Sequence, residues 1–515
     1  MVMKRTISLL LVLVLALSVT AALADDSNNL NKDGYSTSYT YGYDYWKDVQ
    51  ESPDAYRVKT VIDSITLGLD DKTGKMNKPQ SLFVRGSDLY IVDTSNNRIL
   101  QVEYKDNTYR LVRIIDHVTG GSPETFRTPY DVFVDTEDNI YVADYGNYRV
   151  VMMDKDLNLL KVFTKPTDST FDQKLDFLPK KITVDVAGRL YAIVTNVNKG
   201  LVKYEADTTF TGYIGATPVN VSMAEYIWKR YFQTREQREA SASFVPTEYE
   251  NLYIDKDNFI YTTTTTFNEW DLDSGSAKPI RRLNGLGTDI LVRNDHKAPI
   301  GDLWWQEGDS TYYGPSRMTD ITVFDNEIYV ALDRIRGRLF GYDDQGVMLW
   351  AFGTRGGING AFTRAISIEH MGYDLLVLDE SKNSVTVFSP TEYGKMIYNA
   401  TELYQAGEYE KSAEEWKNVM KMNANYPLAF RGIGRAIMRE NRFEEAMEYF
   451  KLAHDDENYG RAFKLYRKEW VEKNIWWILL ILAAVVIIPL AIGKTKRTKW
   501  EVIMHENSKI RNRNG

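Results

Sequence analysis

Short alternating strands recur along the middle of the chain. In each copy an alternating segment leads into a tight turn of Gly, Asp or Asn, then a second strand, a polar loop and two further strands. One aligned position recurs with gaps of 51, 50, 70, 68 and 47 residues, at Tyr90, Tyr141, Tyr191, Tyr261, Tyr329 and Leu376. Four antiparallel strands repeated around a ring form a propeller. The six copies therefore predict a mainly β, six-bladed β-propeller over residues 56–390.

The segment before the first copy and the two long gaps between copies predict how the ring closes and where it carries insertions. Tyr56–Ile62 is expected to supply the fourth strand of the last blade, which would close the ring without free sheet edges. The long gaps hold insertions, predicted at residues 219–245 and 288–315. Insertions between consecutive blades fall on the same face as the loops between second and third strands. That face is therefore the predicted binding face, because loops on a rigid scaffold commonly carry binding residues.

Aromatic side chains on this face are the candidate binding residues. They are Tyr145, Tyr148, Trp304, Trp305, Tyr312 and Tyr313. Aromatic side chains bury a large area at low entropy cost, which suits the capture of a carbohydrate, a peptide or a protein partner. The alternative is that Trp304 and Trp305 only pack their own insertion against the blades.

A polar motif, Asp-x-x-Asn-x-Arg, follows the second strand of the best-preserved copies. Its residues are Asp93, Asn96 and Arg98 in the first copy and Asp144, Asn147 and Arg149 in the second. Asp333 and Asp379 hold the Asp position in the last two copies, whereas Thr195 and Thr262 stand near it in the third and fourth. These copies resemble NHL-repeat propellers. Because the motif recurs wherever a blade needs the same turn, we expect it to bond loop backbone within each blade.

Beyond the propeller the apolar spacing becomes helical. Two segments match at an offset of 34 residues, which pairs Gly407 with Asn441 and Trp416 with Phe450. This period and pattern resemble tetratricopeptide repeats and predict an α-helical tetratricopeptide-like module over residues 391–470. Such a module offers either a groove for a peptide or a structural spacer.

Both ends of the chain carry apolar runs. Residues 1–24 have a basic start, an apolar stretch and an Ala-x-Ala site, which predict a cleaved signal peptide; an uncleaved anchor is the alternative. Residues 475–492 carry no charge and would cover about 27 Å as a helix, which predicts a transmembrane helix. The signal peptide then places the body outside the cell and the basic tail, residues 493–515, in the cytoplasm. Residues 25–55 are predicted to be a Tyr-rich linker.

The composition of the chain limits the kinds of catalytic, metal and binding site that it can contain. The 515 residues include no cysteine and five histidines, which excludes thiolate chemistry and argues against a histidine-rich metal centre. A formal net charge of −8 argues against nucleic-acid binding. No nucleophile-elbow or Walker motif is found, and the loop carboxylates sit at repeat positions. The sequence therefore predicts no catalytic residue, no metal and no cofactor.

These features predict a non-enzymatic binding or scaffold protein on the outer face of a bacterial-type cell membrane. Surface proteins that resemble this build serve transport systems, so the resemblance implies a membrane protein complex, such as an ABC-type sugar transporter, as partner. The alternative is a membrane-tethered hydrolase or lyase of lactonase type that uses calcium in the channel. Three or more Asp, Glu or Asn side chains meeting at the central axis would favour the enzyme.

Overall fold

The computed structural model describes residues 39–43, 49–218, 244–245, 248–267, 271, 277–293, 301–302, 316–424 and 426–512. The chain divides into two compact units, residues 1–405 with 418–426 and residues 406–417 with 427–515. The predicted signal peptide and most of the predicted insertions lie outside the described residues.

The first unit is built mainly from strands. In chain order they are β1 (Thr40–Tyr43), β2 (Val49–Glu51), β3 (Tyr56–Ile62), β4 (Ser81–Arg85), β5 (Asp88–Asp93), β6 (Arg98–Lys105), β7 (Thr108–Ile115), β8 (Pro129–Val134), β9 (Ile140–Asp144), β10 (Arg149–Met153), β11 (Leu159–Phe163), β12 (Pro179–Val184), β13 (Leu190–Val194), β14 (Leu201–Tyr204), β15 (Phe210–Ile214), β16 (Thr217–Pro218), β17 (Phe244–Val245), β18 (Asn251–Ile254), β19 (Ile260–Thr263), β20 (Ile280–Leu283), β21 (Met318–Val323), β22 (Tyr329–Asp333), β23 (Arg338–Tyr342), β24 (Met348–Phe352), β25 (Ala365–Met371), β26 (Asp374–Asp379) and β27 (Ser384–Pro390).

Antiparallel pairing sorts these strands into the six predicted blades. They are β4–β7, β8–β11, β12–β15, β18–β20, β21–β24 and β25–β27 with β3. The sixth blade is completed by the segment that precedes the first, because β3 pairs with β27 and places Tyr56 opposite Pro390. This is the ring closure that the sequence predicted, and the predicted fold class is confirmed.

Part of the predicted Tyr-rich linker belongs to blade five instead. Strand β1 pairs with β24, and β2 pairs with β1, so that blade five has six strands. Tyr41 is fully buried, and its hydroxyl contacts the Asp302 carboxylate and the Arg338 guanidinium. The Tyr-rich segment therefore contains strand β1, and the Tyr41 side chain of this strand joins a buried ionic network.

Apolar side chains between adjacent blades form the core and determine which residues face the axis. Ile182 and Val184 lie in a cluster that joins blades two and three. Because successive side chains on a strand point to opposite faces, Lys181 and Thr183 of β12 point toward the central channel. The same alternation orients the first strand of each blade.

Within the described residues, five helices follow the propeller. They are α1 (Glu392–Gln405), α2 (Tyr409–Met422), α3 (Pro427–Arg439), α4 (Phe443–Leu452) and α5 (Asp456–Arg511). Within the first unit, Tyr398 of α1 stacks on Tyr373 with ring centroids 4.4 Å apart. Within the second unit, a Cβ at Gly434 would clash with the Phe450 ring, so the missing side chain allows this close packing. The likeness to tetratricopeptide repeats remains a prediction.

Helix α5 contains the predicted transmembrane segment. It is 56 residues long with Pro489 inside it. Its apolar part is long enough to cross a membrane, and none of that part is buried within the structure. Helix α5 is thus compatible with a single-pass membrane anchor.

Candidate active site in the propeller channel

A ring of polar side chains surrounds the central axis. Each blade contributes one residue from an equivalent position of its first strand. The six residues are Ser81, Asp131, Lys181, Asn251, Asp320 and Ser367. Because a propeller brings its innermost strands together, residues spread over the whole repeat array meet at one place.

Three residues of this ring form a compact ionic group. The Ser81 hydroxyl donates to Asp131 Oδ1 at 2.5 Å and accepts a hydrogen bond from Lys181 Nζ at 2.8 Å. Lys181 Nζ also lies 3.6 Å from Asp131 Oδ1. All three side chains are buried. The ammonium group therefore compensates a carboxylate that would otherwise be buried without a counter-charge.

The ring also ties neighbouring blades together. The backbone amide of Ile182 donates to Asp131 Oδ2 at 2.8 Å, and that of Ile368 donates to Asp320 Oδ2 at 2.8 Å. The Asn251 side-chain amide donates to Asp320 Oδ1. Each ring carboxylate thus accepts hydrogen bonds from the next blade, which explains why polar groups are tolerated at the axis.

The ring forms one end of a cavity of about 540 Å³. From the ring, the cavity runs along the first strands toward the turns that connect first and second strands. Its walls above the ring come from residues two positions further along five of the six first strands. These residues are Phe83, Phe133, Thr183, Tyr253 and Glu369. The Phe83 and Phe133 rings pack with centroids 4.9 Å apart, so one side of the cavity is aromatic.

Two polar groups on these walls are available to a ligand. The Thr183 hydroxyl is buried and has no hydrogen-bond partner within the described part of the chain. Burial, reinforced by the nearby Asp320 carboxylate, raises the pKa of Glu369 well above its usual range. That shift favours the protonated acid, which can donate a hydrogen bond or a proton to a bound molecule.

Burial affects a second carboxyl group of the cavity, that of Asp320. Burial raises the pKa of Asp320 to about 6, and the Lys181 charge and hydrogen bonds from Ser367 and the backbone limit the rise. The cavity therefore holds two carboxyl groups whose pKa values are both raised by burial. Such a pair is a common feature of acid–base catalytic sites.

The residues do not fit the calcium site of the predicted alternative. Across the described ranges, no group of three or more acidic or histidine side chains is arranged to hold a metal. The Lys181 ammonium supplies positive charge here and lowers the pKa of Asp131 and Asp320 against the effect of burial. A fixed organic cation thus stands among the carboxylates that would otherwise surround a metal.

The Asp-x-x-Asn-x-Arg motif lies away from this cavity, beneath the loops between second and third strands. Asp93 accepts hydrogen bonds from Arg98 Nε at 2.7 Å, Asn96 Nδ2 at 2.8 Å and the Asn77 amide at 2.7 Å. The Arg98 guanidinium also donates to the Gly74 carbonyl at 2.6 Å. These contacts hold the segment that enters blade one.

Equivalent positions in other blades make related contacts. Asp144 accepts from Arg149 Nε at 2.8 Å and from Asn147 Nδ2 at 2.9 Å. Asp333 lies 3.4 Å from the Arg336 guanidinium, and Asp379 accepts from the Thr363 amide at 2.6 Å. None of these aspartates lines the cavity.

Two of the six predicted binding aromatics belong to the described residues, and neither lines the cavity. Tyr145 packs against Tyr130 with ring centroids 4.6 Å apart, and Tyr148 is half exposed in a left-handed turn. Both lie on the face opposite the turns that border the cavity. The other four predicted residues, Trp304, Trp305, Tyr312 and Tyr313, lie outside the described residues.

Sequence reasoning missed the polar ring, although a signal was present. In every copy the ring residue directly precedes an apolar residue of the first strand, as in Asp131-Val132 and Asp320-Ile321. The six ring residues are of four types, with serine and aspartate each occurring twice, so no single motif emerges. An alignment of the copies position by position would have shown a polar residue at this position of every first strand.

Comparison with known proteins finds likeness in fold. No protein-family model and no curated protein matches the chain. A catalytically inactive virginiamycin B lyase from Staphylococcus aureus, solved with quinupristin, is 12% identical, with 61% of this chain and 82% of that chain covered at a TM-score of 0.36. A putative gluconolactonase is 9% identical, with coverage of 66% and 94% and a TM-score of 0.37. A protein of unknown function from Bacteroides thetaiotaomicron is 11% identical, with coverage of 66% and 73% and a TM-score of 0.38.

The prediction that the protein is not an enzyme is contradicted. That prediction depended on a lack of convergent acid–base groups. The structure instead brings Asp320, Glu369 and Lys181 to one cavity.

Proposed function

We propose that the protein is a membrane-anchored hydrolase or lyase whose active site is the channel cavity. One observation supports this most strongly. Asp131, Asp320 and Glu369 converge with Lys181 in a cavity large enough for a small molecule. Carboxylate convergence at the axis is the feature expected of an enzyme rather than of a scaffold.

The residues divide naturally between the roles of an acid–base reaction. The buried Glu369 acid would give a proton to the leaving oxygen of a C–O bond. Asp320, with a pKa of about 6, would take a proton from water in hydrolysis or from carbon in elimination. Lys181 supplies a fixed positive charge near developing negative charge. The Thr183 hydroxyl would hold a ligand oxygen against the aromatic side of the cavity.

The proposed location follows from the two ends of the chain. Helix α5 anchors the protein, and the predicted signal peptide places the propeller outside the cytoplasm with the basic tail inside. The proposed reaction would then act on a molecule at the outer face of the cell membrane. Association with an ABC-type transporter, and capture of a carbohydrate or peptide by the aromatic face, remain predictions.

Turnover by the full-length protein in detergent tests this function. The probes are glucono-δ-lactone, p-nitrophenyl acetate and quinupristin, followed by proton release, nitrophenol absorbance and mass spectrometry respectively. We expect turnover of at least one probe, at a rate that EDTA does not change. Turnover that EDTA abolishes would support the calcium-dependent alternative. Inactivity toward all three probes would contradict the proposal.

A further inference from the structure

The charges on α5 differ sharply between the two ends of its apolar span. Four cations, Lys494, Lys496, Arg497 and Lys499, lie within seven residues after the span, and all are exposed. Within the described residues only Arg497 among them has an ion pair, 3.3 Å from Glu501. The far end of the span therefore carries a concentrated and largely uncompensated positive charge.

The near end is different because acids interleave with its cations. Lys473 pairs with Glu469 at 2.5 Å, and Lys468 lies 3.8 Å from Glu472. Arg461 pairs with Glu457 one turn away. Residues 456–474 hold five basic and four acidic side chains, which leaves a net charge of +1. Near-end cations are thus mostly neutralised within the helix.

Helical geometry arranges the four far-end cations as a girdle. Successive residues of an α-helix are rotated by about 100°, so these side chains project in different directions around α5. They occupy about 7.5 Å along the axis, directly after the hydrocarbon-length span. With the span in the bilayer, the girdle lies at the depth of the lipid phosphates. Trp500, which is exposed beside the girdle, has the residue type that favours this interface.

We propose that this girdle binds the headgroups of anionic phospholipids in the leaflet where it lies. This inference rests on the membrane anchoring in the proposed function, but not on catalysis. Uncompensated lysine and arginine side chains next to a membrane span attract anionic lipid. The neutralised near end should show no comparable preference.

Lipid selectivity of the full-length protein tests the proposal. The protein is reconstituted into phosphatidylcholine vesicles with trace spin-labelled phosphatidylglycerol or spin-labelled phosphatidylcholine. The immobilised fraction of each label is measured by electron spin resonance. We expect about threefold or greater preference for phosphatidylglycerol at low salt, declining as salt is added.

Matched variants locate the effect. Replacing all four girdle residues with glutamine (K494Q/K496Q/R497Q/K499Q) should abolish the preference, whereas the near-end variant K464Q/R467Q should retain it. Equal affinity for the two lipids, or equal loss in both variants, would overturn the proposal.

Alkaline carbonate extraction tests the membrane anchor separately from the girdle. A protein that carbonate releases is not membrane-inserted, which would overturn the anchor and the girdle together, whereas an inserted but unselective protein overturns the girdle alone.

Discussion

Replacing Glu369 with glutamine should lower kcat on any accepted probe by about 100-fold or more. Glutamine preserves the size of the side chain and its hydrogen-bonding capacity, but it cannot give up a proton to a leaving group. Because Glu369 is buried and lines the cavity, the change should leave the outer surface of the propeller unaltered. KM should change less than kcat, since proton donation matters mainly in the transition state.

The pH profile adds a second readout to the same prediction. Activity should rise as Asp320 ionises near its pKa of about 6 and fall at higher pH as Glu369 loses its proton. The matched control is Glu250→Gln, which alters a carboxylate that pairs with Lys180 at 3.4 Å and does not line the cavity. Wild-type kcat in the Glu369 variant, or an equal loss in the control, would contradict the assigned role.

Replacing Lys181 with methionine should lower the free energy of unfolding by about 3–5 kcal/mol. The linear methionine side chain fills similar space, so the main loss is the charge that compensates Asp131. That carboxylate is buried and also accepts hydrogen bonds from Ser81 and the Ile182 amide. Urea unfolding of the detergent-solubilised protein, followed by tryptophan fluorescence, measures the change.

Two further variants distinguish ion pairing from packing. Lys59→Met removes a more exposed pair with Asp374 at 2.7 Å, so it should cost about 1 kcal/mol or less. The double variant K181M/D131N removes both charges and should recover much of the stability lost in K181M. A K181M cost as small as that of Lys59→Met would show that the ring does not depend on this charge.

The propeller could be predicted because each blade repeats the same local pattern of strands and turns. Strand alternation, turn residues and the spacing of copies are local, and β3 could be assigned as the closing strand because a ring needs one. The predicted alignment of blade five with the other copies is wrong by one residue. Ile328 accepts the backbone hydrogen bond that closes the first turn of blade five, as Asn139 does in blade two. The aligned position lies two residues further on, so it is occupied by Val330 and not by Tyr329.

The candidate site could not be predicted in the same way. Ser81 and Lys181 are 100 residues apart, and only the closed ring places their side chains 2.8 Å from each other. The raised pKa of Glu369 also depends on burial among blades, which composition does not reveal. The residues that stand out in the sequence are instead the recurring aspartates and the loop aromatics, and none of these aspartates lines the cavity.

Infrared spectroscopy of the Glu369 carboxyl tests the central claim most directly, because it requires no substrate. The measurement is the difference spectrum between the wild-type protein and the Glu369→Gln variant in the region of the protonated carboxyl stretch. The proposed site predicts a wild-type band that persists well above the ordinary glutamate range, since burial favours the protonated acid. A band that disappears near pH ~4.3, the ordinary glutamate range, would contradict a buried proton donor in the channel.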